Sequence, residues 1–531
     1  MSANKIQRKK NVSKPHWNRR SVFLFSTILI LLCASATLAV INFGHKFNLF
    51  YTPLEIVETA NGRIIRVPKG GSLQAAVDEA QGGDIVELQA GVTYYGDIKL
   101  PKKNITDFIT VQTSAISQLP TDKRVSPANA NLMAKIVAPG KGGSAISTED
   151  GAHHFRFIGI EFTPDNIEYV YNLIYLNTDS PKLADVPGFF EFDRCYFHPY
   201  KAGITRRGIA VNSTETVIKN SYFAGFAGNQ EEAQAIAAWS GTKNVKIINN
   251  YLEGGAETVL IGGADPASVE LIPADIEIRG NYFFKPLEWF GKFTIKNAFE
   301  IKNAKRVQFV GNVIENNRAG AAIVITVRNQ DGSAPFSTIE DVLLQDNLVI
   351  STATGINILG KDDTYSSQTL KRLTIINNLF LDITNKAEGY GGYFVMVSNG
   401  EDILIANNTA FNAGNITTFH GEMPKNFLFR DNIAAHDNYG IQGHPNIKSD
   451  FGQTLFQNNV FFNSKNIDRT ESIFPSGNYW VDDYKSIGFA NVAQKDFRLA
   501  PNSRFKGKAK NNTDIGSNLS VAVFSRIMGN N

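Results

Sequence analysis

With only two cysteines in 531 residues, a disulfide-stapled fold is excluded, and so is any zinc site built from paired cysteines. Cys33 lies in an apolar run and Cys195 stands alone. Methionine is scarce at 5 while phenylalanine reaches 37, a balance that suits rigid stacked strands better than helical bundles. Residues 1–20 contain no acid and carry Lys5, Arg8, Lys9, Lys10, Lys14, Arg19 and Arg20. Setting those seven aside leaves 46 basic against 50 acidic residues, so the body is net −4 although the chain is +3. A body with that balance lacks the basic surface phosphate contacts need, which argues against nucleic acid as a partner.

Charge is missing altogether from residues 21–43. The run exceeds the roughly 20 residues a helix needs to span a bilayer. The basic residues before it predict a cytoplasmic N-terminus and a body outside the cytoplasm. A second reading stays open: a cleaved signal peptide with Ala34-Ser35-Ala36 as its small-x-small site, leaving a secreted or periplasmic protein. A lipid-modified Cys33 is disfavoured by the bulky Leu32 before it. The expected organisation is a basic tail (1–20), an anchor or signal segment (21–43), a linker (44–68), the main body (69–500) and a C-terminal tail (501–531).

What is abundant is one repeated phrase: an alternating apolar strand, a polar pair ending in Asn, then more apolar residues. It reads VKIINNYL, IEIRGNYFF, VQFVGNVI, VLLQDNLVI, LTIINNLFL, ILIANNTAF, FLFRDNIA and TLFQNNVFF. These place Asn250, Asn281, Asn312, Asn347, Asn378, Asn408, Asn432 and Asn459 at intervals of 24 to 35 residues. Degenerate copies at Ile160, Cys195 and Ser221 bring the total to eleven. Period-2 alternation on both sides of each Asn predicts two strands meeting at a bend. The residue before Asn is often Gly, Asp or Asn, types that tolerate a left-handed backbone. A third strand lies between bends, as in QAIAAW, ETVLIGG, AFEIKN and AAIVITV. Three strands per repeat, with few Asn-Gly or Asp-Gly hairpin turns, predict an all-β fold: a single-stranded right-handed parallel β-helix of about 11 coils. Its asparagines should stack in one amide ladder. An amphipathic helix over 71–81 carries Leu73, Val77 and Ala80 and should cap the first coil.

The segment GGSLQAAVDEAQGGDIVELQAG resembles the N-terminal cap of pectate-lyase-superfamily β-helices. HHFRFIGIEF, RGIAVNS, QAIAAWSG, NNYLEGGAETVLIGGADP and TVRNQDGSAP resemble a bacterial branch of right-handed parallel β-helix repeat proteins, a likeness covering roughly residues 65–520. The resemblance implies the fold and leaves function open.

The polygalacturonase pattern is not met, because Gly443-His444 is followed by Pro445 and no Asn-x-Asp precedes Asp362-Asp363. The chondroitinase B and alginate lyase group is a nearer comparison, with Glu and Lys on one coil and Arg about one coil later. Here Glu300 and Lys302 lie in AFEIKN and Arg328 follows in VITVRNQ. The match is partial, since that group's Lys lies further past its Glu and its Arg precedes His-Gly. Alternation sends Glu300 and Lys302 opposite to Phe299 and Ile301. A uronate lyase needs a cation on the substrate carboxylate and a base for the C5 proton, and Lys302 beside Arg328 would supply both. The rival reading is a solvated Glu–Lys–Arg network. Loops bearing Asp265, Asn329, Gln330 and Asp362 would line a groove for a linear polysaccharide if they stack on one side. No cofactor is specified, although Asp oxygens there suit a calcium ion. His153 and His154 open a strand, where alternation should send them to opposite faces, so they read as structural. These features predict an exported, monomeric, polysaccharide-interacting protein, either a lyase on a uronate-containing glycan or a non-catalytic glycan-binding or structural envelope protein.

Overall fold

The computed structural model describes residues 52–529 apart from 61, 230, 385–390, 437–438, 444–453 and 464–476. The basic tail and the apolar run 21–43 lie outside the described residues. Among the described residues no helix is long and apolar enough to cross a membrane.

Three long sheets of 15, 14 and 12 strands wind together as a right-handed parallel β-helix. Sheet A runs from Glu55–Thr59 to Thr454–Gln457, sheet B from Thr93–Tyr95 to Tyr479–Trp480, and sheet C from Ile98–Leu100 to Ile441–Gln442. Each strand pairs with its counterpart one coil away, in parallel throughout the body. The body begins earlier than expected. Residues 55–67, assigned to a linker, form an antiparallel hairpin whose second strand, Gly62–Val67, joins sheet A through Ile85–Leu88. Coils before Ile160 carry no Asn phrase, which is why the repeat count fell short.

Helix α1, Leu73–Glu79, starts at Ser72, whose hydroxyl accepts the Ala75 N–H, and buries Leu73, Ala76 and Val77. The phenylalanines fill the interior as stacks along the axis: Phe157 on Phe192 at 5.3 Å, Phe162 on Phe197 at 5.0 Å, and Phe197 on Phe223 at 4.3 Å between centroids. Stacked rings at one position of successive coils bury large areas without disturbing strand spacing.

The asparagine ladder is continuous. The Asn281 N–H and its Nδ2 both donate to Asn312 Oδ1, at 2.9 and 3.1 Å, while Nδ2 also reaches the Ile247 carbonyl at 2.8 Å. The same pattern runs from Asn250 to Asn459 and continues to Asn478, which the phrase search missed. The residue before each rung is left-handed, including Asn249, Asp346, Asn377, Asn407, Asp431 and Asn458 at φ between 52° and 57°.

Residues 501–529 are more than a tail. They run back along those left-handed bends, with the Lys508 carbonyl accepting from Asn458, the Asp514 carbonyl from Asn407, and Asn518 pairing reciprocally with Asn377. The strap ends where Arg124 donates to the Ile527 carbonyl at 3.0 Å. Phe497 and Phe524 cover Val313, Leu348, Leu379 and Leu381, apolar residues on the outer side of sheet B.

Candidate functional site

The outer face of sheet C carries buried charge at Glu257 and Glu300. Each of its middle strands opens with two consecutive inward residues, such as Ala235-Ile236, Thr258-Val259 and Ala298-Phe299. That irregularity turns the preceding residue outward, so Asn172, Arg207 and Gln234 align in register. The row continues when Gln234 Nε2 donates to Glu257 Oε2 at 2.7 Å. One strand on, Asn297 Nδ2 donates to Glu300 Oε2 at 2.7 Å. A second outward row aligns Ala210, Ala237, Leu260, Glu300, Val324 and Asn357.

Glu300 therefore faces out, as alternation requires, but it sits on a floor and is only 6% exposed. Lys302 Nζ lies 3.7 Å from its carboxylate. Beside this pair, Lys296 binds Glu232 and stands 4.0 Å from Glu257. Burial, then the charges of Glu300 and Glu232, push the Glu257 carboxyl above the usual range. Burial works against the Glu232 carboxylate too, yet its bond to Lys296 wins and lowers it. Lys296 moves the other way: burial opposes its charge, and Glu232, Glu257 and Glu300 outweigh that and raise it. Burial pulls Arg207 down to about 10, and its guanidinium lies 5.1 Å over the Trp239 ring.

Where sheet B turns into sheet C, Lys285 is fully buried and donates to the carbonyls of Gly254, Gly255 and Ala256. Burial pulls its pKa down to about 7, but three carbonyls match the three protons of an ammonium. Lys285 thereby fixes the loop that carries Glu257.

Of the residues expected at the site, the structure brings Glu300 and Lys302 together and sends Arg328 elsewhere. The Arg328 guanidinium binds Asp363, with Asp362 at 3.7 Å, and that contact holds the Asp363 carboxyl below the usual range. The four expected groove residues staple loops. Asp265 accepts the N–H groups of Gln330, Asp331 and Ser333. Asp362 accepts those of Asn329, Thr364 and Tyr365. Asn329 is 1% exposed, donating to the Ser366 carbonyl and accepting from Ala334. Asp265 and Asp362 thus have oxygens committed to the main chain, and among the described residues no group of three or more His, Cys, Asp or Glu is placed to hold a metal ion. Sequence reasoning missed Arg207, Gln234, Glu257 and Lys296. The signal was present: QAIAAW and ETVLIGG each open on the polar residue that the strand irregularity turns outward.

No protein-family model matches the chain, and no curated protein matches it. Among solved structures, the chain is similar to the PL6-family alginate lyase AlyGC at 11% identity and a TM-score of 0.45, covering 86% of this chain and 58% of that one. A mannuronic-acid-specific polysaccharide family 6 lyase from human gut microbiota is similar at 14% identity and a TM-score of 0.42, covering 77% of this chain and 89% of that one. The A-module of the Azotobacter vinelandii mannuronan C-5 epimerase AlgE6 gives 12% identity, a TM-score of 0.41, and 73% and 94% coverage. At such identities the likeness is one of fold alone, and the parallel β-helix rests on the chain's own strand pairing.

Proposed function

We propose that this chain is an exported β-helix, held at a membrane by residues 21–43, that engages a linear uronate-containing polysaccharide along the outer face of sheet C and cleaves it by β-elimination. The observation that carries the reading is the cluster of Lys296 and Lys302 among Glu232, Glu257 and Glu300 on one elongated face. A uronate needs its carboxylate offset before the C5 proton becomes acidic, and this reading assigns that part to the Lys296 ammonium. Lys302, 3.7 Å from Glu300, is the group placed to take the C5 proton, with Glu300 as its proton partner. Lys302 first passes a proton to Glu300, and its freed lone pair takes the C5 proton. The C5–H electrons form the C4–C5 double bond, the C4–O bond breaks with its electrons left on the oxygen, and Glu300 returns its proton to that oxygen.

One observation favours a non-catalytic glycan-binding protein instead: Lys296 and Lys302 are each already matched to a carboxylate, an arrangement suited to holding a chain. A panel of polyuronates and neutral glycans, with and without calcium, separates the two. The lyase reading requires the ultraviolet absorbance of unsaturated uronates to rise together with reducing ends. Binding without either signal leaves the glycan-binding reading, and no binding to any polyuronate overturns both.

A further inference from the structure

The strongest unassigned constellation lies on sheet A, on a different sheet from the charged cluster. His153 Nδ1 and His154 Nδ1 stand 2.7 Å apart. Adjacent residues of an ordinary strand point to opposite faces, but His154 is left-handed at φ 62°. The same position is left-handed in later coils, at Asn244, Asp275, Arg306, Asp341, Arg372 and Asp402. This recurrent kink turns two successive side chains outward, and only in this coil are both histidine.

His154 is braced from behind. His154 stacks on Phe189 at 4.4 Å between centroids and 9° between planes, and meets Phe108 edge-on at 5.3 Å. Both rings are half-buried and so open to ions from solution.

We propose that His153 and His154 form a two-imidazole site for a divalent transition-metal ion of the zinc, nickel or copper class, bound through both Nδ1 atoms. Two bonds of roughly 2.0–2.1 Å about one ion set the nitrogens about 2.9 Å apart at the right angle of a square-planar ion and about 3.3 Å apart in a tetrahedral one, so the rings turn apart on binding, least for copper or nickel. In the ion-free state the 2.7 Å contact is an N–H···N bond in which one ring donates to the other. Binding moves the donor ring's proton from Nδ1 to Nε2 and releases none. Imidazole nitrogens select these ions over calcium or magnesium, which prefer oxygen. Among the described residues no third His, Cys, Asp or Glu completes the set, so water fills the remaining positions. Lys102 is a nearby opposing charge and Asp107 a nearby supporting one.

The test is titration of the full chain with Cu²⁺, followed by electron paramagnetic resonance and calorimetry. The expected result is one ion per chain with two equatorial nitrogens, and a tenfold or greater loss of affinity in His153→Gln and in His154→Asn. Asn tolerates the left-handed backbone at 154, so that variant should still fold, with a melting temperature lowered only by loss of the stack on Phe189. His198→Gln should bind copper as the wild type does, since His198 belongs to a separate Glu161 pair. A wild-type spectrum without two-nitrogen coordination, or unchanged affinity in the double variant, overturns the proposal.

Discussion

Lys302 and Arg328 are main-chain neighbours whose side chains part company. The Arg328 N–H donates to the Lys302 carbonyl at 2.9 Å, which stacks the two residues on adjacent coils. Yet Lys302 turns to Glu300 while Arg328 turns to Asp362 and Asp363. Stacking set their positions, and the local carboxylates set their directions.

The two residues should therefore respond differently to truncation. Lys302→Ala should cost on the order of 10²-fold or more in turnover of a uronate substrate. Arg328→Ala should lower stability by about 1 kcal/mol or less, as partly exposed ion pairs do, and make the loop at 360–366 more sensitive to protease. Rates and melting temperatures of both variants check this. Equal loss of turnover in the two would move the site to the Arg328 loops.

The raised Glu257 carboxyl predicts a pH dependence. Folding raises its pKa, so the folded chain holds that proton to higher pH than the unfolded chain. The stabilising contribution is complete below the usual glutamate value and is lost as pH climbs through the raised one. Glu257→Gln keeps an acceptor for Gln234 and removes the titration. The variant's melting temperature relative to the wild type should rise as pH climbs above the usual glutamate value. A constant offset across that range would show that Glu257 titrates normally.

The ladder should carry stability without chemistry. Asn312→Ala strands the buried Asn281 N–H and Ile278 carbonyl and should cost about 3 kcal/mol, read by denaturant unfolding. Polyuronate binding at a temperature where the variant is folded should be unchanged.

Deleting residues 509–531 tests the strap. The deletion removes Phe524 from over Leu348, Leu379 and Leu381 and takes Asn518 from Asn377 and the Asp514 carbonyl from Asn407. The expected outcome is a lower melting temperature and binding of an apolar dye. An unchanged melting temperature would mean that the strap is ornamental to the coil.

The coil was legible because its determinants repeat. Asn at one position, a residue tolerant of left-handed backbone before it, and alternating apolar strands each recur about every 30 residues. Glu300 and Lys302 followed from the same alternation. His154, Gln234 and Glu257 did not, because each sits where a kink or paired inward residues break period 2. Arg328 failed for another reason: register sets where a residue stands, while the partner of a long flexible side chain depends on loops more than 30 residues away.

Affinity for a defined uronate oligosaccharide, measured by calorimetry on the full chain, tests most directly whether sheet C is the binding face. Wild type, Lys302→Ala and Arg306→Ala are compared, Arg306 lying on sheet A in a two-pronged pair with Asp275 at 2.6 and 2.7 Å. The account predicts at least tenfold weaker binding in Lys302→Ala and wild-type binding in Arg306→Ala. Wild-type affinity in Lys302→Ala, or a loss confined to Arg306→Ala, would contradict it.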